Sequence, residues 1–277
     1  RSGRTPDGPR LISKADVPVA LRFPHPKEWF TYENGQKAYE MMSCYEGLLE
    51  YYKVTGNKTD YEAVLKAYSH ILEEEINLAG SGSAVECWYG GKALQTVPTY
   101  HTMETCVGFT WMQFCSRLLE LTGDSRYADN IELTFYNAIL GALKDDGCQI
   151  AKYTPLEGWR VEGERQCGLN INCCNANGPR AFAMMPALAY RADGNCLTVN
   201  FYGESEADVR LGKRNSLRVV QSGDYPASGD IVIELAPEKA ADFTLALRIP
   251  EWSSRTSARV ISGADTLAVE PGSLAAG

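Results

Sequence analysis

The chain has 277 residues, of which 44% are hydrophobic and 22% are charged, and its formal net charge is −8. This composition excludes a disordered or fibrous chain and supplies enough apolar residues for one large domain or two ordinary ones. The acidic balance, without any basic cluster, argues against a nucleic-acid or anionic-membrane partner, and no apolar run approaches the roughly 20 residues of a spanning helix.

Helical patterns fill the first two thirds of the chain. Apolar residues at three- and four-residue spacing predict helices at 36–54, 61–76, 106–121 and 127–143, and a fifth that begins at Pro179 and ends near Arg191. The turns Thr55-Gly56-Asn57 and Thr122-Gly123-Asp124 separate successive helices and lie 67 residues apart. This internal repeat of helical hairpins predicts a solenoid or a closed toroid, and the long polar loops between the hairpins favour the toroid.

The pattern changes at about Gly194. Short alternating runs, separated by Gly, Pro and Asp, predict antiparallel β-structure arranged as a sandwich. The runs are 197–202, 217–220, 230–235 and 243–249. The sequence therefore predicts two domains, a helical one over residues 1–194 and a β-sandwich over 195–277 that is expected to be truncated.

Cysteine usage bears on both chemistry and compartment. Nine is an odd number, and Cys44, Cys106 and Cys115 lie within helical patterns instead of forming a regular disulfide framework. Free thiols and metal ligands are therefore favoured, which indicates a reducing compartment such as the cytoplasm. The alternative is a bacterial periplasmic protein whose signal peptide lies outside this sequence. Formation of a homo-oligomer is left open.

Two motifs combine one carboxylate with three thiols, the ligands of a zinc or iron site in a reduced protein. They are Glu104-Thr-Cys106 and Cys173-Cys174. Residues two apart are separated by about 200° around a helix, and adjacent residues of a strand face opposite ways, so irregular backbone is expected at both motifs. A helix signal follows each motif. We therefore expect two converging helix N-termini, where the helix dipole favours anionic thiolates.

These motifs, together with Thr122-Gly123-Asp124, Asn177-Gly178 and the run Leu247-Arg-Ile-Pro250-Glu-Trp252, resemble the β-L-arabinofuranosidases of glycoside hydrolase family 127. The resemblance covers residues 36 to 255. It implies an (α/α)6 barrel followed by β-sandwich domains. Five predicted helices are fewer than such a barrel requires, so the chain is expected to be the C-terminal half of a barrel with part of a sandwich.

The resemblance also implies the site residues. It implies a zinc ion held by Glu104, Cys106, Cys173 and Cys174, with Cys173 also the nucleophile. It implies an acid/base glutamate upstream of Glu104, and Glu86 is the only carboxylate between Glu75 and Glu104. The implied reaction is retaining hydrolysis, in which Cys173 attacks the anomeric carbon of terminal β-L-arabinofuranose, or a close pentofuranose, in plant-type glycans. Glu86, kept protonated by partial burial, protonates the leaving oxygen and then acts as the base, roughly 5–5.5 Å from the nucleophile.

Other interpretations of the same residues stay open. His101, Trp88 and Tyr89 are candidate substrate contacts, although loop aromatics often pack onto their own domain. From spacing alone the four ligands fit a closed structural zinc site equally well, and Cys173-Cys174 can form a vicinal disulfide. The alternative function is therefore a non-catalytic helical and β-sandwich module in which zinc, bound by the three cysteines and the glutamate, holds two loops together. A polysaccharide lyase is disfavoured because the three histidines fit no such constellation.

Overall fold

The structure, a computed structural model, describes residues 4–5, 8–9, 36–84, 86–88, 101–161, 172–213 and 215–269. Tyr89 lies outside the described residues. Within the described ranges, no helix combines the length and apolar character needed to cross a membrane.

Helices dominate the described chain as far as Leu188. In chain order the helices are α1 (Ala38–Thr55), α2 (Lys58–Glu74), α3 (Thr105–Thr122), α4 (Ser125–Leu133), a π-helical segment (Thr134–Ile139), α5 (Leu140–Ala142) and α6 (Cys174–Leu188). Four two-residue strands accompany them: β1 (Arg4–Thr5) pairs with β2 (Gly8–Pro9), and β3 (Gln36–Lys37) pairs with β4 (Cys87–Trp88).

The two hairpin turns of the predicted repeat have the same construction. α1 is followed by Gly56 and α3 by Gly123, with φ of 67° and 72°, the left-handed conformation that favours glycine at a helix end. The next helix is then capped by Asn57 or Asp124, whose side-chain oxygen accepts a backbone N–H at 3.2 Å or 3.0 Å. The repeat predicted from the sequence is therefore confirmed at the level of these turns.

The helix predicted at 127–143 is interrupted by the π-helical segment. Thr134 Oγ1 donates to the carbonyl oxygen of Gly80 at 2.7 Å, which ties the loop after α2 to this segment. A Cβ on Gly80 would lie 2.7 Å from the Cα of Thr134, so only glycine allows this approach. The buried core beside it includes Trp111, which stacks on Tyr68 at 5.3 Å, and Phe114.

α6 begins five residues earlier than predicted. The side-chain oxygen of Asn172 accepts hydrogen bonds from the backbone N–H groups of Cys174 and Asn175, at 2.9 Å and 3.3 Å, and so starts the helix before Pro179. The helix also ends earlier, at Leu188. The residues after it form a strand instead, because Tyr190–Asp193 pairs with the next strand of the chain.

The C-terminal part consists of short strands. They are β5 (Tyr190–Asp193), β6 (Cys196–Val199), β7 (Ser205–Leu211), β8 (Asn215–Ser222), β9 (Val232–Pro237), β10 (Thr244–Leu247), β11 (Ala258–Ser262) and β12 (Asp265–Val269). The sheets have the orders β10-β6-β5, β7-β8-β9 and β11-β12. Most pairings are antiparallel as predicted, but β10 pairs with β6 in parallel. Leu197, Leu211, Leu217 and Val219 form a buried apolar cluster.

Contacts divide the chain into two compact units. One contains Arg1–Arg117 and Asn130–Ala183, and the other contains Leu118–Asp129 and Met184–Gly277. The second unit is discontinuous in sequence. An ion pair between Arg248 Nη1 and Asp129 Oδ1, 2.5 Å apart, joins its two stretches.

Candidate metal centre and active site

The Glu104 motif lies at the start of α3. The carbonyl oxygen of Glu104 accepts the first helical hydrogen bond, from Gly108 N–H at 3.0 Å. Thr105 then fastens the helix start to a neighbouring loop, because its N–H donates to Lys152 O at 2.9 Å and its hydroxyl to Ala151 O at 2.8 Å. Glu104 and Cys106 are thereby held beside residues 151–153.

The Cys173 motif lies at the start of α6. Asn172 caps this helix, and the carbonyl oxygen of Cys173 accepts from Asn177 N–H at 3.0 Å. Both motifs therefore occupy helix N-termini, as the sequence predicts, and the dipoles of both helices favour negative charge there.

The four side chains converge on one point. Cys106 Sγ lies 3.1 Å from Cys173 Sγ and 3.2 Å from Cys174 Sγ, and Glu104 Oε1 lies 3.7 Å and 3.8 Å from the last two sulfurs. The four donor atoms all lie within 4.8 Å of one another. Glu104, Cys106 and Cys174 are buried, whereas Cys173 is partly exposed. Cys173 and Cys174 are free thiols, so the vicinal disulfide does not form.

This donor set fits a single metal ion. With metal–sulfur bonds of about 2.3 Å, two thiolates of a tetrahedral centre stand about 3.8 Å apart, so sulfurs that lie 3.1 Å and 3.2 Å apart would separate by about 0.6–0.7 Å to admit an ion. A cation would also supply the positive charge that a buried carboxylate and three thiolates require. The group of one glutamate and three cysteines could therefore hold a metal ion.

The thiols share their protons unequally. The pKa of the Cys173 thiol is lowered to about 2 because hydrogen bonds from Cys106, and then from Cys174, stabilise its thiolate. The pKa of Cys106 is raised, because it donates the hydrogen bond to Cys173. Burial raises the pKa of the Glu104 carboxyl well above its usual value, and the charges of Glu86 and Cys173 add to this rise. Negative charge in the cluster therefore concentrates on Cys173.

Glu86 is held by two lysines. Lys152 Nζ lies 2.6 Å from Glu86 Oε1, Lys37 Nζ pairs with Oε2, and Tyr153 donates a longer hydrogen bond of 3.5 Å to Oε1. Burial raises the pKa of Glu86, but the hydrogen bonds from Lys152 and Lys37 outweigh it, and the pKa lies below its usual value. The expectation that burial keeps Glu86 protonated is therefore wrong: the lysines hold the carboxylate ionised.

Unusual backbone conformations occur at Glu86 and immediately before Glu104. Among the described residues, three that are not glycine, Ser83, Glu86 and Met103, have positive φ values of 77°, 67° and 57°. Such residues are uncommon and concentrate at functional sites, where the surrounding structure compensates for the strain. Two of them are directly connected, because Met103 N–H donates to Ser83 O at 3.3 Å.

The candidate substrate contacts differ in their placement. His101 is partly buried and packs edge-on against Tyr153, with ring centroids 5.0 Å apart, which places it next to the partner of Glu86. Trp88 belongs to β4 and is 1% exposed, so its ring faces the core and offers no open face to a sugar. This placement does not support the expected stacking role of Trp88.

Sequence reasoning missed the lysines around Glu86. Lys37 lies in β3 and Lys152 in the loop that receives Thr105, and both reach Glu86 only through tertiary pairing. Neither residue lies in a motif or at a ligand spacing. No signal in the sequence alone could have assigned them to the site.

Comparisons with known proteins agree along most of the chain. Residues 33–187 match the family described as β-L-arabinofuranosidase, GH127 catalytic domain, and residues 196–273 match its GH127 middle domain. The chain is 25% identical over 175 residues to a non-reducing end β-L-arabinofuranosidase of Bifidobacterium longum subsp. longum. The alignment covers 58% of this chain and 26% of that protein.

Solved structures give the same picture. A GH127 β-L-arabinofuranosidase from Geobacillus stearothermophilus T6 superposes with a TM-score of 0.72 at 25% identity, over 86% of this chain and 38% of that one. A GH127 β-arabinofuranosidase of 21% identity superposes with a TM-score of 0.70, over 94% of this chain and 45% of that one, which bears on the fold alone. The chain therefore spans less than half the length of each of these relatives.

Proposed function

The chain belongs to glycoside hydrolase family 127, and from that premise we propose that it forms the metal-binding part of a retaining glycoside hydrolase. The proposed substrate is a plant-type glycan that ends in β-L-arabinofuranose or a close pentofuranose. The observation that carries the proposal is the exposure of the cluster: among its three thiols, Cys173 is the partly exposed one, and negative charge concentrates on it.

We also propose the architecture that the family implies. Residues 1–194 would form part of an (α/α)6 barrel, and residues 195–277 a truncated β-sandwich. The paired helical hairpins, with their equivalent turns at Gly56 and Gly123, support a toroid built from repeats.

The proposed metal is zinc, with Glu104, Cys106, Cys173 and Cys174 as its ligands. Three thiolates with one carboxylate suit zinc because sulfur is among its preferred ligands. When bound, zinc would keep the thiols deprotonated at neutral pH.

The chain's own residues supply the remaining chemistry. The Cys173 sulfur attacks the anomeric carbon and forms a thioglycoside as the bond to the leaving oxygen breaks. Glu86 donates a proton to that oxygen, and in the second half it accepts a proton from the water that cleaves the carbon–sulfur bond. The two inversions together retain the anomeric configuration. The ion pairs with Lys37 and Lys152 favour the ionised form of Glu86, which suits its role as the base. Glu86 must therefore take up a proton before it can act as the acid.

The lysine contacts also favour a second candidate, the non-catalytic module. A carboxylate fixed by two lysines, beside a four-ligand site that is mostly buried, is typical of a structural centre as well. The two candidates differ in whether Cys173 reacts with a sugar.

Mass spectrometry of the intact protein after treatment with a mechanism-based β-L-arabinofuranosyl inactivator tests this difference. We expect one adduct on Cys173 and about one zinc per chain, because a single nucleophile sits on a single metal site. Cys173→Ser should abolish the adduct, whereas Cys148→Ser, at an exposed free thiol, should not change it. The same treatment is applied to the full-length protein. Zinc without an adduct in both proteins would establish the structural module.

The role of Glu86 has its own test. Glu86→Gln should slow the full-length enzyme by at least about 100-fold on substrates with poor leaving groups, because those need protonation. Activated aryl glycosides should lose much less in the first step. Equal losses of the first-step rate on both substrate types would rule out Glu86 as the acid.

A further inference from the structure

A chain of polar contacts leads from the buried thiol of Cys106 to the exposed side of α6. Asn177 Nδ2 donates to Cys106 Sγ over 3.1 Å, and Asn177 Oδ1 accepts from Arg180 Nη1 at 2.9 Å. Asn177 is 6% exposed, so the contact with the sulfur is shielded from water. Arg180 is thereby connected, through Asn177, to the cluster of Glu104 and the three cysteines.

The orientation of the Asn177 amide follows from its partners. A guanidinium group has only donors, so the amide oxygen must face Arg180 and the amide nitrogen must face the sulfur. Arg180 is itself held in place, because its guanidinium carbon lies 4.4 Å from the centre of the Phe109 ring. The backbone of Asn177 is fixed as well, by its hydrogen bond to Cys173 O.

The amide N–H that faces Cys106 Sγ fixes the place of this sulfur, as hydrogen bonds from outside a ligand set orient the ligands of a metal. We propose that Asn177 is a positioning residue of the metal centre, which holds the Cys106 sulfur in place as a ligand, and that Arg180 holds the Asn177 amide in the orientation this requires. The inference rests on the proposed function, since it takes Cys106 to be a ligand. It assigns separate tasks to two of the thiols: Cys106 is 2% exposed and anchored, and Cys173 is left to react.

Asn177→Asp tests the donor directly. The carboxylate has nearly the shape of the amide and keeps an acceptor for Arg180, but it can present only oxygen to the sulfur. Asn175→Asp is the matched control, because it makes the same change in charge at an exposed position of the same helix. Zinc affinity of the complete chain is measured by competition with a chromophoric chelator. The sulfur-to-metal absorption of the cobalt-substituted protein reports on the thiolate ligands, and circular dichroism on folding.

We expect zinc to bind about 10- to 100-fold more weakly to Asn177→Asp, the usual cost of losing a partner that orients a ligand. Asn175→Asp should stay within about twofold of the parent, because exposed charges interact weakly. Arg180→Met should lose about threefold to tenfold, because the amide is then free to turn. This second variant changes an exposed side chain and decides the question if Asn177→Asp does not fold.

Three outcomes would contradict the inference about Asn177 and Arg180. Unchanged zinc affinity in Asn177→Asp, or in Arg180→Met where Asn177→Asp is unfolded, would overturn the inference and leave the proposed function standing. An equal loss of zinc affinity in Asn175→Asp would show that the added negative charge alone causes the loss, and it would also overturn the inference. A parent chain that binds no zinc would overturn the proposed zinc site and this inference together.

Discussion

Glu46 is a carboxyl group in an unfavourable place. It lies on α1, and its Oε1 atom is buried without a hydrogen-bond partner among the described residues. Burial raises the pKa of Glu46 from 4.5 to about 7, although the nearby charges of Arg117 and Arg180 lower it. Folding therefore favours the protonated form of this side chain over the ionised one.

The stability of the protein should accordingly depend on pH. Between pH 4.5 and about 7 the folded state binds more protons at Glu46 than the unfolded state does, so the free energy of unfolding falls as pH rises. Glu46→Gln removes this titration. We expect the variant to be more stable than the parent by about 1–3 kcal/mol above pH 7, and by much less at about pH 5.

Urea denaturation at the two pH values measures the difference. Glu50→Gln is the control, because it removes an equal charge one turn along the same helix from a side chain that is about half exposed. A gain of the same size at both pH values would contradict the assignment to Glu46.

At the scale of residues, the sequence identified the four side chains that converge and little of what surrounds them. Glu104, Cys106, Cys173 and Cys174 stand out because their types and spacing suit a metal, and the helix signals after them are local. Glu86 could be chosen by elimination, but its ionisation depends on Lys37 and Lys152, which are 49 and 66 residues away in sequence. Trp88 was expected in a polar loop, whereas it lies in β4 with its side chain buried.

Elements were predictable where the signal is local. The turns after α1 and α3 follow from Gly and Asn or Asp at fixed positions. Pro179 misled the prediction, because proline is favoured in the first turn of a helix, while the Asn172 cap begins α6 earlier. The strand β5 and the parallel pairing of β10 with β6 depend on distant partners, so periodicity could not reveal them.

α6 is positioned by a close approach at Gly178. A Cβ at this residue would lie 2.7 Å from Ile150 Cγ1 and 3.0 Å from its other branches, in the apolar cluster that also contains Cys106 and Cys174. Alanine within a helix normally gains about 1 kcal/mol over glycine. Here overpacking should outweigh that gain, so we expect Gly178→Ala to lower the free energy of unfolding by about 1–2 kcal/mol.

The control for this variant is Gly47→Ala. Gly47 lies on the exposed side of α1, and no atom of the described residues beyond its own helix backbone lies within 4 Å of the position that a Cβ would take. We therefore expect Gly47→Ala to raise the free energy of unfolding by about 0.5–1 kcal/mol. Urea denaturation of both variants gives the comparison. The same sign in both would show that Ile150 gives way and that the contact does not position α6.

Contacts within the whole molecule do not divide the chain at a single point. Composition placed a boundary at residue 194, whereas contacts group Leu118–Asp129 with Met184–Gly277. The end of α3 and the start of α4 thus lie in the unit that contains strands β5 to β12. Arg191 donates to Leu119 O at 3.3 Å, and Glu251 N–H donates to Asp129 Oδ1 at 3.3 Å. Composition along the chain could not predict this grouping, because it depends on contacts between stretches that are distant in sequence.

The Arg248–Asp129 ion pair should be central to the stability of this unit. Arg248 is 5% exposed, and it also donates from Nε to Asn200 O. Asp129→Asn keeps an oxygen at this place but removes the negative charge that contacts the buried guanidinium. We expect a loss of about 3 kcal/mol in the free energy of unfolding, because breaking a buried pair from one side is costly.

Replacing both partners should cost less than the sum of the single changes. In Asp129→Asn with Arg248→Met no charge is left buried, so the double-mutant cycle should give a coupling energy of at least about 1 kcal/mol. Glu206→Gln serves as the control, since it breaks the Arg218–Glu206 pair, in which both side chains are 56% exposed, and should cost under about 1 kcal/mol. Additive losses in the cycle would mean that the pair does not join the two stretches, and that the other contacts of Asp129 and Arg248 hold them together.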